Sequence, residues 1–192
     1  MLSTDFIEGY LIGLILGDGY IEQKSNRIVV ASSNKSYIDK VNNFFIHLGY
    51  NGSLLFDKSA NVYKLSIYSK SLHGKLIKNH NIPAGDKTLM STPCIDKKQA
   101  VGFIAGLFDS EGWWELDKNK YVRIRIKMKS KQVILFGFDL LSNIGFNPKF
   151  HRSNNFYVLS LNRQKEIKKF INDIYLIHPK WLSLLNSVSL GG

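Results

Sequence analysis

The chain has little of what cross-links a protein or anchors it in a membrane. A single cysteine, Cys94, excludes an internal disulfide and a cysteine-based zinc site. The apolar runs fall far short of the roughly 20 residues that a helix needs to cross a bilayer, so we expect no membrane partner. The N-terminus, Met1-Leu2-Ser3-Thr4-Asp5, lacks the basic stretch that opens a secretory signal. We therefore expect an intracellular protein, in the cytoplasm or an organelle, that is not secreted.

Acidic residues are also scarce. The 192 residues include 15 acids against 26 Lys and Arg, which gives a formal net charge of +11 and a pI near 9.6. This surplus favours a polyanionic partner, either a nucleic acid or an anionic membrane surface, over a merely basic soluble protein. Nucleic-acid binding is the leading class.

The sequence contains one short pattern twice. Leu11-Ile12-Gly13-Leu14-Ile15-Leu16-Gly17-Asp18-Gly19 and Ile104-Ala105-Gly106-Leu107-Phe108-Asp109-Ser110-Glu111-Gly112 are both apolar runs that end in an acid followed by glycine. The closing glycines lie 93 positions apart, about half the chain. This spacing predicts that a whole fold unit is duplicated and that the two acids meet near a pseudo-twofold axis.

The surroundings of the two motifs predict the same elements in the same order: helix, hairpin, helix, hairpin, helix. Apolar residues recur at helical spacing in residues 35–48, for example, and glycine follows at Gly49. We predict an α+β fold of two pseudo-twofold αββαββα units, each with a four-stranded antiparallel sheet, followed by an amphipathic helix over residues 181–190. Pro93 interrupts regular structure, so we divide the chain into half-domains at residues 1–94 and 95–192.

Small residues follow one face of both motif helices. They recur every fourth position, as Gly9, Gly13 and Gly17 in the first motif and as Gly102, Gly106 and Ser110 in the second. Glycine inside a helix costs about 1 kcal/mol relative to alanine. Such strips predict that the two helices pack with their backbones close together. The alternative is that the small residues only accommodate a sheet.

The two acids occupy unfavourable places. Asp18 and Glu111 lie at predicted helix C-termini, where a carboxylate opposes the macrodipole by about 0.3–1 kcal/mol. Packing the helices side by side also brings the two negative charges together. A divalent metal ion between the carboxylates would relieve both costs.

Both motifs resemble the LAGLIDADG signature of homing endonucleases of the monomeric, two-motif type, and the resemblance extends along the whole chain. The segment Ile82-Pro83-Ala84-Gly85-Asp86-Lys87-Thr88 is similar to the region between the motifs in that family. The resemblance implies a site-specific double-strand DNA endonuclease, active as a monomer in intron homing. It implies a long asymmetric target, a saddle-shaped DNA-binding surface formed by the sheets, and phosphodiester hydrolysis that depends on Mg²⁺, for which Mn²⁺ can substitute.

The same resemblance implies the metal site. Asp18 and Glu111 correspond to the catalytic acids, one from each motif, which bind the metal across the pseudo-dyad. The backbone carbonyls of Gly17 and Ser110 assist them. Metals held in this way activate water and stabilise the attacking and leaving oxygens.

Basic or polar residues surround the metals in that family. Lys87 corresponds to the lysine of the inter-motif loop, and Lys180 occupies the equivalent place in the second unit. Each of these two lysines could serve the reaction or contact a phosphate. Ser33 and Lys129 precede the second helix of each unit, where the family often has Gln or Lys. Ser33 departs from that pattern.

One predicted strand carries a DNA-binding signal. Residues 121–129 alternate, with Arg123, Arg125, Lys127 and Lys129 on one face and apolar side chains on the other. Such a ribbon fits the major groove, where Arg and Lys reach guanine edges. The alternative is a solvated basic face. The predicted DNA contacts are Arg27, Ser33, Arg123, Arg125, Lys127 and Lys129 on the strands, with Lys58, Asn61, His151, Arg152 and Asn154 at the hairpin tips.

The first unit is less basic at the matching positions. Arg27 matches Arg123, but Val29, Ala31 and Ser33 stand where the second unit has cations. We therefore expect an asymmetric target whose first half-site is read more through methyl contacts and DNA shape. Two rival functions remain open: an RNA maturase that binds its own intron, and a catalytically inactive DNA-binding protein of the same fold.

Overall fold

The computed structural model describes residues 2–88, 90–117 and 121–184. Its first half begins with helix α1, which Ser3 caps by accepting the Phe6 N–H at 3.2 Å. The elements of this half are α1 (Thr4–Gly17), β1 (Tyr20–Ile21), β2 (Arg27–Ser32), α2 (Lys35–His47), β3 (Gly52–Asp57), β4 (Val62–Tyr68) and α3 (Lys70–Lys78).

The second half repeats this order. A 3₁₀ turn at Lys97–Gln99 leads into it, and another at Pro179–Trp181 follows its last helix. The elements are α4 (Ala100–Glu111), β5 (Gly112–Asp117), β6 (Tyr121–Met128), α5 (Lys131–Asn143), β7 (Lys149–Ser153), β8 (Phe156–Leu161) and α6 (Gln164–Asp173). The predicted duplicated αββαββα architecture is confirmed. The helix predicted over 181–190 lies mostly outside the described residues.

The two units end their second helices in the same way. After α2, Gly49 adopts a φ of 83° and the Tyr50 N–H bonds back to the Phe45 carbonyl at 2.9 Å. After α5, Gly145 has a φ of 88° and the Phe146 N–H bonds to the Leu141 carbonyl at 3.0 Å. Glycine suits this left-handed position because a Cβ is unfavourable there.

Each half builds one antiparallel sheet with the same strand order. The orders are β1-β2-β4-β3 and β5-β6-β8-β7. Alternate residues of each sheet are at most 1% exposed and pack on the helices, namely Ile28, Val30, Leu65 and Ile67 in the first and Ile124, Ile126, Leu159 and Leu161 in the second. The opposite face of each sheet, termed the open face, carries mainly half-buried or exposed side chains, although Ser66, Val158 and Ser160 on it are buried. The alternation predicted for residues 121–129 is confirmed as far as Met128, where the strand ends, and Lys129 lies just beyond it.

Helices α1 and α4 form the centre of the molecule and run in parallel. A Cβ added to any glycine of either strip would overlap the partner helix. The overlapping groups are the carbonyls of Gln99 for Gly9, Phe103 for Gly13, Phe6 for Gly102 and Tyr10 for Gly106, and the side chain of Ser110 for Gly17. The small-residue strips therefore face each other, as predicted, and the two backbones touch.

A continuous apolar core surrounds this helix pair. It includes buried residues of both halves, with Leu14 and Phe103 fully buried at its centre. Among the described residues, no helix combines the length and apolar character that crossing a bilayer requires.

Candidate active site

The parallel packing brings the two motif acids to the same end of the helix pair. Asp18 is the C-terminal cap of α1, with its N–H bonded to the Leu14 carbonyl at 3.0 Å, and Glu111 is the last residue of α4. Gly17 lies against Ser110, and a Cβ on Gly17 would come within 3.0 Å of the Glu111 Cγ. The sequence-based expectation that the acids lie near the pseudo-dyad agrees with this arrangement.

The crowding of the helix ends changes the acidity of both carboxyls. Although Asp18 is open to solvent on one side, desolvation by the surrounding helix ends raises its pKa, and Lys180 and Lys87 oppose that rise. Desolvation also raises the pKa of Glu111, and the negative charge of Asp18 raises it further. The two carboxylates therefore repel one another in a partly dehydrated recess, and a bound cation would favour their ionised forms.

Lys87 binds the end of α1 rather than either acid. Its Nζ lies within hydrogen-bonding distance of the carbonyl oxygens of Ile15 at 3.0 Å, Leu16 at 2.9 Å, Gly17 at 2.8 Å and Gly19 at 2.7 Å. These include carbonyls that the helix itself leaves without a partner. Burial lowers the pKa of Lys87 to about 8, although Glu111 and Asp18 act in the opposite direction.

Lys180 holds the equivalent position on the second helix. Its Nζ donates to the Ser110 carbonyl at 3.2 Å and lies 5.5 Å from the centre of the Trp181 ring. Burial lowers its pKa, and the nearby charges of Asp109, Asp18 and Glu111 oppose the change. Lys87 and Lys180 thus contact the backbone carbonyls of Gly17 and Ser110, which the family resemblance implies as metal ligands.

Asp109, which the sequence suggests as a supporting acid or a cap partner, is the centre of a buried polar network beside the two acids. Asp109 is 2% exposed, and its Oδ2 accepts hydrogen bonds from the Tyr10 hydroxyl at 2.7 Å and from the backbone N–H of Ile177 at 2.8 Å and of His178 at 3.3 Å. The Tyr10 hydroxyl also lies 3.1 Å from that of Tyr37. Asp109 therefore connects helices of the first unit to the segment that carries Lys180.

The sequence contained a partial signal for this network. Asp109 interrupts an apolar helix where the first motif has Leu16, and a buried acid needs hydrogen-bond donors. Its donors come from positions 99 residues before it and 68 and 69 residues after it. Only the fold brings these together. Desolvation raises the pKa of Asp109, and the hydrogen bonds from Ile177 and Tyr10 partly offset that rise.

The donor set suits a cation that needs few protein ligands. No group of three or more His, Cys, Asp and Glu side chains converges in the described ranges, which argues against an all-protein cage. Asp18 and Glu111 supply two carboxylates, and the carbonyls of Gly17 and Ser110 lie beside them. Mg²⁺ commonly binds through one or two carboxylates and keeps several waters. The residues present therefore fit such an ion.

A groove runs from Glu111 to the basic strand of the second unit. Glu111 and Lys87 line it together with Lys127 and Lys129, which lie at and just beyond the end of β6. Ser33, the counterpart of Lys129, is exposed just beyond β2. Lys127 and Lys129 thus extend the basic face of the second sheet to the groove beside Glu111.

The side chains predicted to contact DNA from the strands lie on the open faces of the sheets, where two of the arginines form ion pairs within the protein. Arg27 on β2 bonds to Glu22 at 2.7 Å, and Arg125 on β6 bonds to Glu115 at 3.0 Å. Arg123 lies opposite Glu115 in the β5–β6 register. Lys127 lies 4.5 Å from the centre of the Phe156 ring. These cations are thus held in place by neighbouring side chains.

The predicted tip residues lie on the two long hairpins. Lys58 and Asn61 are in the turn between β3 and β4, and Asn154 is in the turn between β7 and β8. His151 and Arg152, which were predicted at a hairpin tip, belong to strand β7 instead. Because neighbours on a strand point to opposite faces, only His151 shares the open face. The Arg152 Nε instead donates to the Asn154 carbonyl at 3.1 Å.

Comparison with known sequences places this geometry in a family. The sequence model of the LAGLIDADG-like domain matches the chain twice, at residues 5–80 and 98–175. The chain belongs to the LAGLIDADG-like domain family. Each match covers one copy of the repeated unit, and together they include both acids.

Individual relatives agree with this assignment. The homing endonuclease I-DmoI of Desulfurococcus mucosus is 28% identical over 187 residues, which cover 90% of this chain and 89% of that protein. The ATP-dependent DNA helicase Hel308 of Methanocaldococcus jannaschii is 27% identical over 189 residues, which cover 89% of this chain but only 16% of the helicase. The similarity thus extends across nearly the whole LAGLIDADG-like chain.

Solved structures show the same fold. I-DmoI in complex with DNA and Mn has a TM-score of 0.64 at 24% identity, covering 90% of this chain and 97% of that one. The N-terminal LAGLIDADG domain of DUF199/WhiA has a TM-score of 0.67 at 18% identity, covering 97% of this chain and 88% of that one. At these identities the likeness establishes the LAGLIDADG fold and leaves function to be argued from the site.

Proposed function

We propose that this protein is a site-specific, divalent-metal-dependent DNA endonuclease that cuts both strands of a long, asymmetric target. The observation that carries the proposal is the pair of carboxylates, Asp18 and Glu111, at the adjoining C-termini of two parallel helices. Neither position favours stability, because each acid opposes a helix dipole and the two repel each other. A catalytic metal site explains why both are present.

The metal would be held by Asp18 and Glu111, with the carbonyls of Gly17 and Ser110 beside them. When bound, it would supply an activated water and charge stabilisation for the phosphodiester oxygens. Solved I-DmoI–DNA complexes contain Mn, Mg or Ca, which supports the use of a divalent ion. We propose Mg²⁺ as the working ion, with Mn²⁺ as a substitute.

The lysines have a defined part in this proposal. Lys87 and Lys180 hold the carbonyl ends of α1 and α4 and so keep the two acids at the dyad. Their charges also lower the cost of ionising the carboxylates. The proposed DNA contacts are the open-face cations of the second sheet and the polar side chains of the hairpin turns. We also propose that the chain divides into two half-domains, residues 1–94 and 95–192. The protein is further proposed to act as a monomer inside the cell.

A catalytically inactive DNA-binding protein is the second candidate. The chain is as similar in fold to the WhiA domain as to I-DmoI, so the fold by itself does not select an endonuclease. We base the choice on the retention of both acids. A maturase that binds its own intron RNA would share the positive charge, but no contact in the described residues favours it.

The test is a cleavage selection on a plasmid library with a randomised insert, in Mg²⁺ and in Mn²⁺. We expect one family of inserts to be linearised. Asp18→Asn and Glu111→Gln should each abolish that cleavage, while binding to the selected duplex persists. Asp39→Asn, a matched change on the outer side of α2, should cut normally.

Two outcomes would contradict the proposal. If both acid variants cut the selected duplex as fast as the parent chain, the assigned site is wrong. If no insert is cut with either metal but one family of duplexes is bound, the protein is the inactive DNA-binding form.

A further inference from the structure

The cations on the open face of the first sheet are already neutralised within the protein. Arg27 bonds to Glu22 at 2.7 Å and to the Ser66 hydroxyl at 3.1 and 3.2 Å. Lys64 bonds to Asp57 at 2.6 Å. The strand register puts Arg27 and Lys64 on the same face, one near each end of the sheet. This face therefore offers little net charge to a phosphate backbone.

Apolar side chains flank Lys64 on this face and continue in the row beside it. Ala31 is opposite Lys64, and Lys64 is opposite Leu55, so all three share the open face. Val29 and Tyr20 form the neighbouring row. Leu55 is 66% exposed and Tyr20 is 47% exposed. An exposed leucine on an otherwise solvated sheet face gains nothing for folding, because its apolar surface stays in water.

The second sheet carries polar side chains at the same places. Matching the registers of the two sheets pairs Val29 with Arg125, Ala31 with Lys127 and Leu55 with His151. On that face Arg125 bonds to Glu115 at 3.0 Å, Arg123 lies opposite the same residue, and Lys127 lies over the Phe156 ring. Val29 and Ala31 of the first sheet thus stand where the second sheet has cations, and Leu55 stands where it has a histidine, whereas Lys64 matches Val158.

The ligand chemistry follows from the edges of base pairs. In the major groove, the thymine C5-methyl is the one apolar group that a base presents, while guanine and adenine present acceptors and donors. We propose that the first sheet binds a thymine-rich half-site, in which Leu55, Val29 and Ala31 pack against thymine methyl groups. The inference rests on the proposed function and names the half-site chemistry that distinguishes the two sheets.

The experiment removes the methyl groups alone. A bound duplex is selected from a randomised pool in Ca²⁺, an ion present in one I-DmoI–DNA complex, and the thymines of each half-site are then replaced in turn by uracil. Uracil keeps every hydrogen-bonding group of thymine. We expect affinity to fall about four-fold for each contacted methyl in one half-site, and less than two-fold in total in the other.

A variant then connects the effect to the first sheet. Leu55→Ala should weaken binding to the thymine duplex by about four-fold and leave binding to the uracil duplex unchanged, since both changes remove the same contact. Ile46→Ala, which truncates a half-exposed side chain on α2 away from the sheet, is the matched control and should alter neither. Thermal melting would verify that both variants are folded.

The outcomes separate this inference from the proposed function. If a duplex is selected but uracil leaves its affinity unchanged in both half-sites, the inference of a methyl-binding half-site is wrong. The proposed function then still stands. The inference is equally overturned if uracil weakens binding by the same factor for the parent chain and for Leu55→Ala. If no duplex sequence is enriched at all, the proposed function fails and the half-site inference fails with it.

Discussion

The two halves of the molecule are alike where they meet and different where they face solvent. At the dyad, α1 and α4 carry matching strips of small residues, matching acids and matching lysine contacts at Gly17 and Ser110. On the open sheet faces, Val29 and Ala31 stand where the second half has Arg125 and Lys127. The difference shows which positions are constrained by the shared fold and which are not.

The reason is steric. A residue in the α1–α4 contact touches the backbone of the other copy, so a change in one half alters the packing of both. A residue on an open sheet face has no partner across the dyad, and either a polar or an apolar side chain is compatible with the strand. One shared site can therefore serve two half-sites of different chemistry.

Asp109 is the exception at the dyad. Its counterpart in the first motif is Leu16, which is fully buried, so a buried acid on one side of the helix pair matches an apolar side chain on the other. The carboxylate of Asp109 binds the segment before Lys180, whereas Lys87 reaches α1 from the loop between the two halves. Lys87 and Lys180 thus occupy matching positions, but the segments that carry them are held by different contacts.

The largest effect should come from filling the contact between the two copies. Gly13→Ala would place a Cβ against the Phe103 carbonyl, and a backbone atom cannot move aside as a flexible side chain can. We expect a loss of about 3 kcal/mol or more in the free energy of unfolding. Chemical denaturation followed by circular dichroism would measure it.

Gly74→Ala is the matched control for this change. Gly74 is also inside a helix, α3, but a Cβ there meets nothing within 4 Å. It should stabilise the protein by about 0.5–1 kcal/mol, because alanine is the better helix former. Equal effects of the two substitutions would show that the helices do not pack through their glycines.

A second prediction removes the asymmetry at the dyad. Asp109→Leu copies the residue of the first motif and leaves the Tyr10 hydroxyl and the N–H groups of Ile177 and His178 without their acceptor. We expect a loss of about 2–3 kcal/mol in the free energy of unfolding. Hydrogen exchange should accelerate at the Ile177 amide in particular. Asp109→Asn keeps one acceptor oxygen and should lose less; a greater loss than for leucine would contradict this account.

A third prediction compares equivalent positions on the two sheets. Arg125→Ala should weaken binding to the selected duplex by roughly ten-fold and relax base preference in one half-site, as expected for an arginine that contacts a base edge. Val29→Ala should weaken it less than four-fold, because only part of one methyl contact is lost. Competition gel shifts would measure both. Similar losses for the two variants would mean that the sheets do not read DNA differently.

The smallest expected effect is on thermal stability, through the destabilisation that the ionised carboxylate of Asp18 causes. Because desolvation raises the folded-state pKa of Asp18 above its ordinary 3.8, the ionised carboxylate destabilises the metal-free fold at neutral pH. That cost disappears as the pH falls below the ordinary pKa. Asp18→Asn should therefore raise the Tm by about 1–4 °C at pH 7 and have no such effect near pH 3.5. Asp39→Asn should not raise the Tm at either pH.

Much of the architecture could be predicted from local patterns. The repeat of the acid–glycine motif predicted the duplication, and glycines after α2 and α5 marked two helix ends that the structure confirms. The fourfold spacing of small residues predicted the helix contact. The hairpin tips were predicted less accurately. His151 and Arg152 are paired residues of β7 rather than tip residues, because the length of an edge strand depends on pairing with its neighbour, β8.

The sequence by itself predicted the order of the elements, the close contact of the two motif helices and the pair of acids, because each depends on a short pattern that the chain contains twice. Only the tertiary structure decided what Asp109, Lys87 and the sheet cations contact, because their partners are distant in the chain. Lys87 reaches back 68 to 72 residues to the end of α1, and Lys64 and Arg27 are neutralised by acids on the same sheet face. Charge counted along the sequence treats all cations alike, whereas folding determines which of them are paired and which surface remains for a ligand.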